Sequence, residues 1–444
     1  MKRELYKNLL AWKNSSNRKP LLLQGARQVG KTYLISTFGR KEYSHFIHLN
    51  FEQDPDLRSI FTGNLNPKII IENISLYVGR KINHTDTLIF FDEIQAEERA
   101  ITSLKYFYEQ APEYHLAAAG SLLGVTVGKG SSFPVGKVNF MTLHPMSFAE
   151  YLMAFSEELL FEKLVVTEKI EPFLEIIHNK LLSHLKMHLF LGGMPEVLHN
   201  YLLNSDIVSA RVIQNEILET YLRDFSKYSE KSQAIKTAQL WHSIPYQLAK
   251  ENKKFKYSDV RSKARAAMFG SAIKWLRQAG LIHIVRNINL PKLPLSGYAD
   301  HSKFKIYLLD TGLLAAMLEI SSNIIVKGSE LFSEYNGAFI ENYATNEFIK
   351  SGNRELFYWK SKSDAEVDFI MQFQNNIYPV EVKSGKNRNL KSIRSYAEKY
   401  DPRFIFRTSP RNFIRDNDFV NIPLYALFTL NNIISSLTKL QRHE

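Results

Sequence analysis

The residues Gly25-Ala26-Arg27-Gln28-Val29-Gly30-Lys31-Thr32 have the types and the spacing of a phosphate cradle. In a Gly-x-x-x-x-Gly-Lys-Thr pattern the glycines Gly25 and Gly30 let backbone N–H groups turn inward. Lys31 then reaches the terminal phosphates, and the Thr32 hydroxyl can ligate Mg²⁺. About 60 residues downstream, Asp92-Glu93 closes an apolar run, as a second nucleotide motif requires. Asp92 would hold Mg²⁺ through water or the Thr32 hydroxyl, and Glu93 would polarise an attacking water as general base. Ser121, after Gly120, is a candidate sensor of the γ-phosphate; its alternative is a serine that only opens a turn.

A second constellation lies near the C-terminus: Glu341 in a helical stretch, Asp368 within Glu366-Val367-Asp368-Phe369-Ile370, and Glu381 and Lys383 within Pro379-Val380-Glu381-Val382-Lys383. Asp followed by Glu-x-Lys on a neighbouring strand is the pattern of restriction-endonuclease-like nucleases. Alternate strand residues share a face, so Glu381 and Lys383 project together and a hairpin can bring Asp368 beside them. Asp368 and Glu381 could hold Mg²⁺ while Lys383 orients water or neutralises the phosphate, with Glu341 supporting. The other reading is a salt-bridged cluster in a fold kept only for binding.

These groups need elements to hold them. Residues 21–24 suit a buried parallel strand, and 33–38 the helix whose N-terminal dipole faces an anion. Residues 46–51, 87–93 (an apolar strand ending in two carboxylates) and 115–121 (a buried strand with a polar tip) read as further strands, alternating with helical turns at 57–61 and 69–78. That alternation predicts an α/β fold with a mainly parallel, doubly wound sheet and its ligand at the carboxyl ends of the strands. Residues 151–230 repeat leucines at helical spacing (Leu159, Leu160, Leu164; Leu181, Leu182, Leu185, Leu189) and read as a helical lid.

The net charge of +12 is segregated. Residues 231–310 hold 15 Lys and Arg against 4 Asp and Glu, a balance of +11, leaving 42 against 41 elsewhere. Such a footprint suits a polyanion. The same segment reads as helices at 235–250, after 257–260 and at 271–278, then strands at 281–285 and 304–309 around a proline-rich wing, which together make a winged helix-turn-helix. Arg261, Lys263, Arg265, Lys274 and Arg277 lie on or before the third helix, where DNA contact is expected. The alternative is a winged fold used for packing or protein contact.

The chain lacks cysteine, which removes disulfides and thiolate chemistry. Neither a signal-peptide core nor an apolar run of about 20 residues occurs, so a cytoplasmic protein without membrane contact is expected.

At residues 24–32, Asp92-Glu93-Ile94-Gln95, Gly120-Ser121 and His144-Pro145-Met146-Ser147-Phe148-Ala149-Glu150-Tyr151, the chain resembles a family of prokaryotic AAA-type P-loop ATPases. Members carry a C-terminal region labelled a domain of unknown function. Gly192-Gly193-Met194-Pro195-Glu196, Tyr221-Leu222-Arg223-Asp224 and residues 337–383 fit the same family. The resemblance implies ATP and Mg²⁺ as ligands and a P-loop AAA-type core. Lids in such ATPases can supply an arginine to the nucleotide; Arg223 is the candidate, a plain surface arginine its alternative, and Arg27 another phosphate contact. The expected division is an ATPase core at 1–150, the lid at 151–230, the winged helix-turn-helix at 231–325 and the nuclease-like domain at 326–444. The leading expectation is an ATPase whose nucleotide state controls DNA binding, with cleavage left open. A nucleotide-controlled switch or scaffold contacting protein or RNA is the alternative, and self-association is open in both.

Overall fold

The computed structural model describes residues 1–121, 136–166, 170–227, 229–320, 331–361, 365–385 and 390–440, with side chains left aside at 331–336 and 440. The chain forms two compact units, Met1–His144 with Gln278–Gly280, and Pro145–Arg277 with Leu281–Glu444.

In the first unit, β1 (Leu21–Gly25), β2 (His45–Asn50), β3 (Thr87–Asp92), β4 (His115–Ser121) and β5 (Asn139–Thr142) form one sheet in the order β2-β3-β4-β1-β5, with every pair parallel. Strands β1, β3 and β4 are almost wholly apolar because helices cover both faces of a parallel sheet. The helices are Lys31–Glu42, Pro67–Tyr77 and Glu98–Gln110. Asn66 caps the second by accepting from Lys68 N–H, and Pro67 supplies a preset first turn. One face of the sheet closes over Leu49, Phe51, Phe61, Ile74, Phe91, Leu104 and Phe107. Phe51, Phe61 and Phe91 meet edge to face with centroids 5.6 Å apart. Such burial contributes roughly 1.5–3 kcal/mol per large side chain. The sheet, loop and helix expected at residues 21–38 are therefore present in that order.

The second unit begins with helices Phe148–Ala154, Glu158–Val165, Glu175–Leu191, Pro195–Asn204 and Ile207–Lys227. Ser147 and Glu150 form a reciprocal capping box at the first. Helices Lys231–Ala249, Tyr257–Val260 and Ala266–Gln278 follow. Then come β6 (Ile282–Ile288), β7 (Ala299–Leu308), β8 (Leu356–Lys360), β9 (Glu366–Phe373), β10 (Asn376–Val382), β11 (Ile405–Ser409), β12 (Ile414–Asp416) and β13 (Phe419–Pro423). They make one mixed sheet ordered β12-β13-β11-β10-β9-β8-β6-β7. Helix Leu331–Lys350 runs between β7 and β8 in sequence.

Two details depart from the sequence reading. The second helix of the expected trihelical group is a single turn, and the third starts at Ala266 rather than 271. The expected two-stranded wing is not free-standing: β6 pairs antiparallel with β7 and also parallel with β8, through Val285↔Leu356 to Ile288↔Trp359. A lone hairpin leaves two open edges, and β8 satisfies the backbone groups of one of them.

Candidate nucleotide site and its companion constellations

The cradle sits where β1 ends. Gly30 takes φ 92° and Gln28 φ 64°, the left-handed turns that swing the loop back into the helix Lys31–Glu42. A Cβ at Gly25 would overlap the Leu143 carbonyl oxygen, so only glycine lets the loop pass β5's exit. Ala26 and Val29 are buried beneath the loop, and Arg27 pairs with Glu52 at 3.6 Å. Lys31 is buried, and its Nζ donates to the carbonyls of Gly25 (3.1 Å) and Ala26 (2.8 Å). Burial lowers its pKa to about 8, opposed by the carboxylates of Glu93 and Asp92.

Asp92, 1% exposed at the end of β3, accepts from the Thr32 hydroxyl at 2.9 Å. Its other neighbours are His48 Nε2 at 3.0 Å, the amide nitrogen of Asn50 at 3.5 Å and the Glu93 N–H at 3.1 Å. Glu93 follows in a left-handed turn (φ 50°), with its Oε2 accepting from the Gln95 amide. Parallel register sets Ser121 opposite Gly25. The Ser121 hydroxyl is buried and has no hydrogen-bond partner among the described residues. Strand order thus brings Lys31, Thr32, Asp92, Glu93 and Ser121 to the carboxyl end of one sheet.

Arg3 was not legible as part of this site. It is buried, and its guanidinium donates to Val29 O at 2.8 Å and to His144 O. His48 and Asn50 beside Asp92 were missed as well; the only signal was their alternation on β2, which put both on one face.

In the second unit, Phe369 pairs with Val380, and Asp368 and Glu381 follow directly on that pair across β9 and β10. Asp368 Oδ2 accepts from Val382 N–H at 2.8 Å, and Lys383 Nζ lies 2.7 Å from Glu381 Oε1. Glu341 projects to the same place, accepting from Tyr307 OH at 2.7 Å and pairing with Lys253. Burial raises the Asp368 carboxyl to about 7, reinforced by Glu341 and opposed by Lys305. Burial would raise Glu341 too, yet Lys253 and Lys305 outweigh it and hold that carboxyl low. The sequence pattern missed Lys305, which lies 2.7 Å from Glu366, 3.5 Å from Glu341 and 3.9 Å from Asp368. Among the described residues no three His, Asp or Glu side chains are disposed to hold a metal ion.

Arg261, Lys263, Arg265, Lys274 and Arg277 are all exposed. Helix Ala266–Gln278 buries Phe269, Ala272, Ile273, Trp275 and Leu276, leaving Lys274 and Arg277 on its outer face. Arg223 belongs to the second unit, where its side chain is 82% exposed and 3.5 Å from Glu219. Among the described residues no helix is long and apolar enough to cross a membrane.

Residues 17–152 match the family described as AAA domain. This segment is similar to a P-loop AAA-type domain. Outside the AAA domain, residues 182–323 match the domain of unknown function DUF8612 and residues 336–427 the domain of unknown function DUF4143. No curated protein matches the chain. Among solved structures, similarity extends to Orc1 of Aeropyrum pernix in complex with DNA, at 12% identity over 74% of this chain and 93% of that one, TM-score 0.29. Cdc6p of Pyrobaculum aerophilum matches at 11% identity over 73% and 92%, TM-score 0.24. AMPPCP-bound DnaA of Aquifex aeolicus matches at 13% over 62% and 86%, TM-score 0.25. The likeness to an AAA domain is that of the sequence match over residues 17–152 and of the glycine loop between β1 and the helix Lys31–Glu42.

Proposed function

We propose that the chain is a Mg²⁺-dependent ATPase whose nucleotide state controls contact with DNA. The observation that carries this reading is the Thr32 hydroxyl held 2.9 Å from the buried Asp92 carboxylate at the end of a glycine loop. Mg²⁺ is commonly held by one or two protein oxygens together with phosphate oxygens and water, and these two hard oxygen donors fit that mode. The ion, when bound, neutralises phosphate charge. Lys31 exchanges its loop carbonyls for the terminal phosphates, Glu93 accepts a proton from the attacking water, and the Ser121 hydroxyl donates to the phosphate beside the loop. Gly25 to Thr32 supply the backbone cradle.

Lys31→Ala is expected to abolish tight ATP binding, because the loop's other cation, Arg27, is paired with Glu52 and does not replace the buried ammonium. Glu93→Gln is expected to keep ATP binding and stop hydrolysis. Calorimetry paired with phosphate release measures both, and full turnover by Glu93→Gln removes Glu93 as the base.

The DNA part is supported by five exposed cations at 261–277 within the +11 segment. Stimulation of the ATPase by duplex DNA favours it; indifference favours the switch or scaffold reading. For the C-terminal constellation we favour a nuclease-like module that does not cut, because Lys305 stands among the carboxylates. The four-part division at 150, 230 and 325 is retained as a functional proposal, with the hairpin β6–β7 built into the C-terminal sheet.

A further inference from the structure

We infer that Lys305, assisted by Lys253, is the built-in cation of the C-terminal carboxylate cluster, which closes it to divalent metal and locks the basic segment onto the nuclease-like strands.

Lys305 sits on β7, inside the segment whose charge would otherwise face a polyanion, yet its side chain is only 3% exposed. Its ammonium touches three carboxylates, Glu366 at 2.7 Å, Glu341 at 3.5 Å and Asp368 at 3.9 Å, and lies 5.1 Å from the Tyr358 ring centroid. A divalent ion placed among these oxygens would meet a fixed positive charge that cannot leave without burying itself unpaired. The remaining oxygens are also committed. Glu341 uses one on Lys253 and the other on Tyr307 and Lys305; Asp368 Oδ2 takes the Val382 N–H; Glu366 Oε2 lies 3.7 Å from Lys360. Lys383 takes Glu381 Oε1, leaving Glu381 Oε2 as the one buried oxygen of the group without a hydrogen-bond partner among the described residues. Four carboxylates (Glu341, Glu366, Asp368, Glu381) thus face four ammonium groups (Lys253, Lys305, Lys360, Lys383), whereas a metal cage needs an excess of negative charge. Two of these lysines come from the basic segment, so part of its positive charge is consumed inside the fold.

The inference is independent of the ATP reading and extends the view that the module does not cut. Its test uses the nucleotide-free full-length chain and Mn²⁺ alone, followed by electron paramagnetic resonance. Wild type and Asp368→Asn should bind Mn²⁺ alike. Lys305→Met should gain a site that Lys305→Met/Asp368→Asn lacks. A wild-type site lost in Asp368→Asn overturns the inference, as does a folded Lys305→Met variant that gains none. If Lys305→Met does not fold, the comparison of wild type with Asp368→Asn decides alone. Mn²⁺ binding at the cluster without DNA cleavage sinks this inference only, whereas Mn²⁺-dependent cleavage lost in Asp368→Asn sinks the non-cutting reading with it.

Discussion

Arg3 holds two carbonyls at once, Val29 O in the glycine loop and His144 O at the end of the first unit. In a trans peptide the C=O and the following N–H point to opposite sides, so fixing the Val29 carbonyl towards Arg3 turns the Gly30 N–H the other way. Arg3 thereby positions a donor of the cradle without touching the ligand. Arg3→Met should weaken ATP affinity by about tenfold, because most of the roughly 1.5–3 kcal/mol per bond is lost from the fold and only the part that reorients the Gly30 N–H reaches the ligand. Arg3→Lys should restore only part, since one ammonium does not reproduce the fork of a guanidinium. Calorimetry well below the unfolding temperature, with thermal midpoints recorded for each variant, checks this; an unchanged affinity in Arg3→Met removes the role. At this scale the sequence was legible where chemistry is compressed into short spacing, as at Lys31, Thr32 and Asp92-Glu93. Arg3 and Lys305 act through space across tens of residues with no period to betray them. Nothing in the neighbouring residues distinguishes either from an exposed cation, yet both are buried.

The helix Ala266–Gln278 shows what patterning can and cannot announce. Its apolar face, Phe269, Ala272, Ile273, Trp275 and Leu276, is readable at helical spacing, and the exposed Lys274 and Arg277 then fall on the opposite side. Reversing charge at Lys263, Arg265 and Lys274 should weaken DNA binding without unfolding, since all three are exposed. The slope of log affinity against log salt should flatten by up to about 0.9 per lost phosphate contact. Fluorescence anisotropy at several salt concentrations reads the slope, and a folded variant with the wild-type slope returns the helix to packing or protein contact. Two short apolar runs on either side of a proline-rich turn likewise announce the antiparallel pair β6–β7. The parallel seam between β6 and β8 was not readable, because its register is fixed by a partner far along the chain and by the helix Leu331–Lys350 between them.

Across the second unit, polar groups are buried where residues 145–151 meet the other helices. Asp310 accepts from Gly193 N–H at 2.6 Å and Leu313 N–H at 3.0 Å, Lys350 donates to Met146 O at 2.9 Å, and Phe148 N–H reaches Glu347 at 3.2 Å. His188 lies in this region against Phe148, Tyr151 and Tyr343, with ring centroids 5.6, 5.1 and 6.1 Å away. Burial, aided by Lys350, holds its pKa well below 6.5. An unfolded histidine takes a proton near pH 6.5 and the folded one does not, so this contribution is complete above that pH and is lost as pH falls below it. The loss approaches about 1.4 kcal/mol per pH unit. Urea unfolding at steps between pH 7.5 and pH 5 should show the decline, and His188→Leu should flatten it; an unaltered slope in that variant assigns the effect elsewhere. His115 in the first unit, lowered to about 4 chiefly by burial, adds a decline of the same sign. The double pairing of β6 also bears on how the protein is made. During synthesis the hairpin, complete at Leu308, leaves the ribosome about 50 residues before β8 begins at Leu356, so one flank of β6 waits bare for seconds at the usual pace of translation. Until the later strand arrives, the growing chain offers a template to its neighbours on the same message. Its yield should therefore depend on chaperone supply more than the stability of the finished fold would suggest.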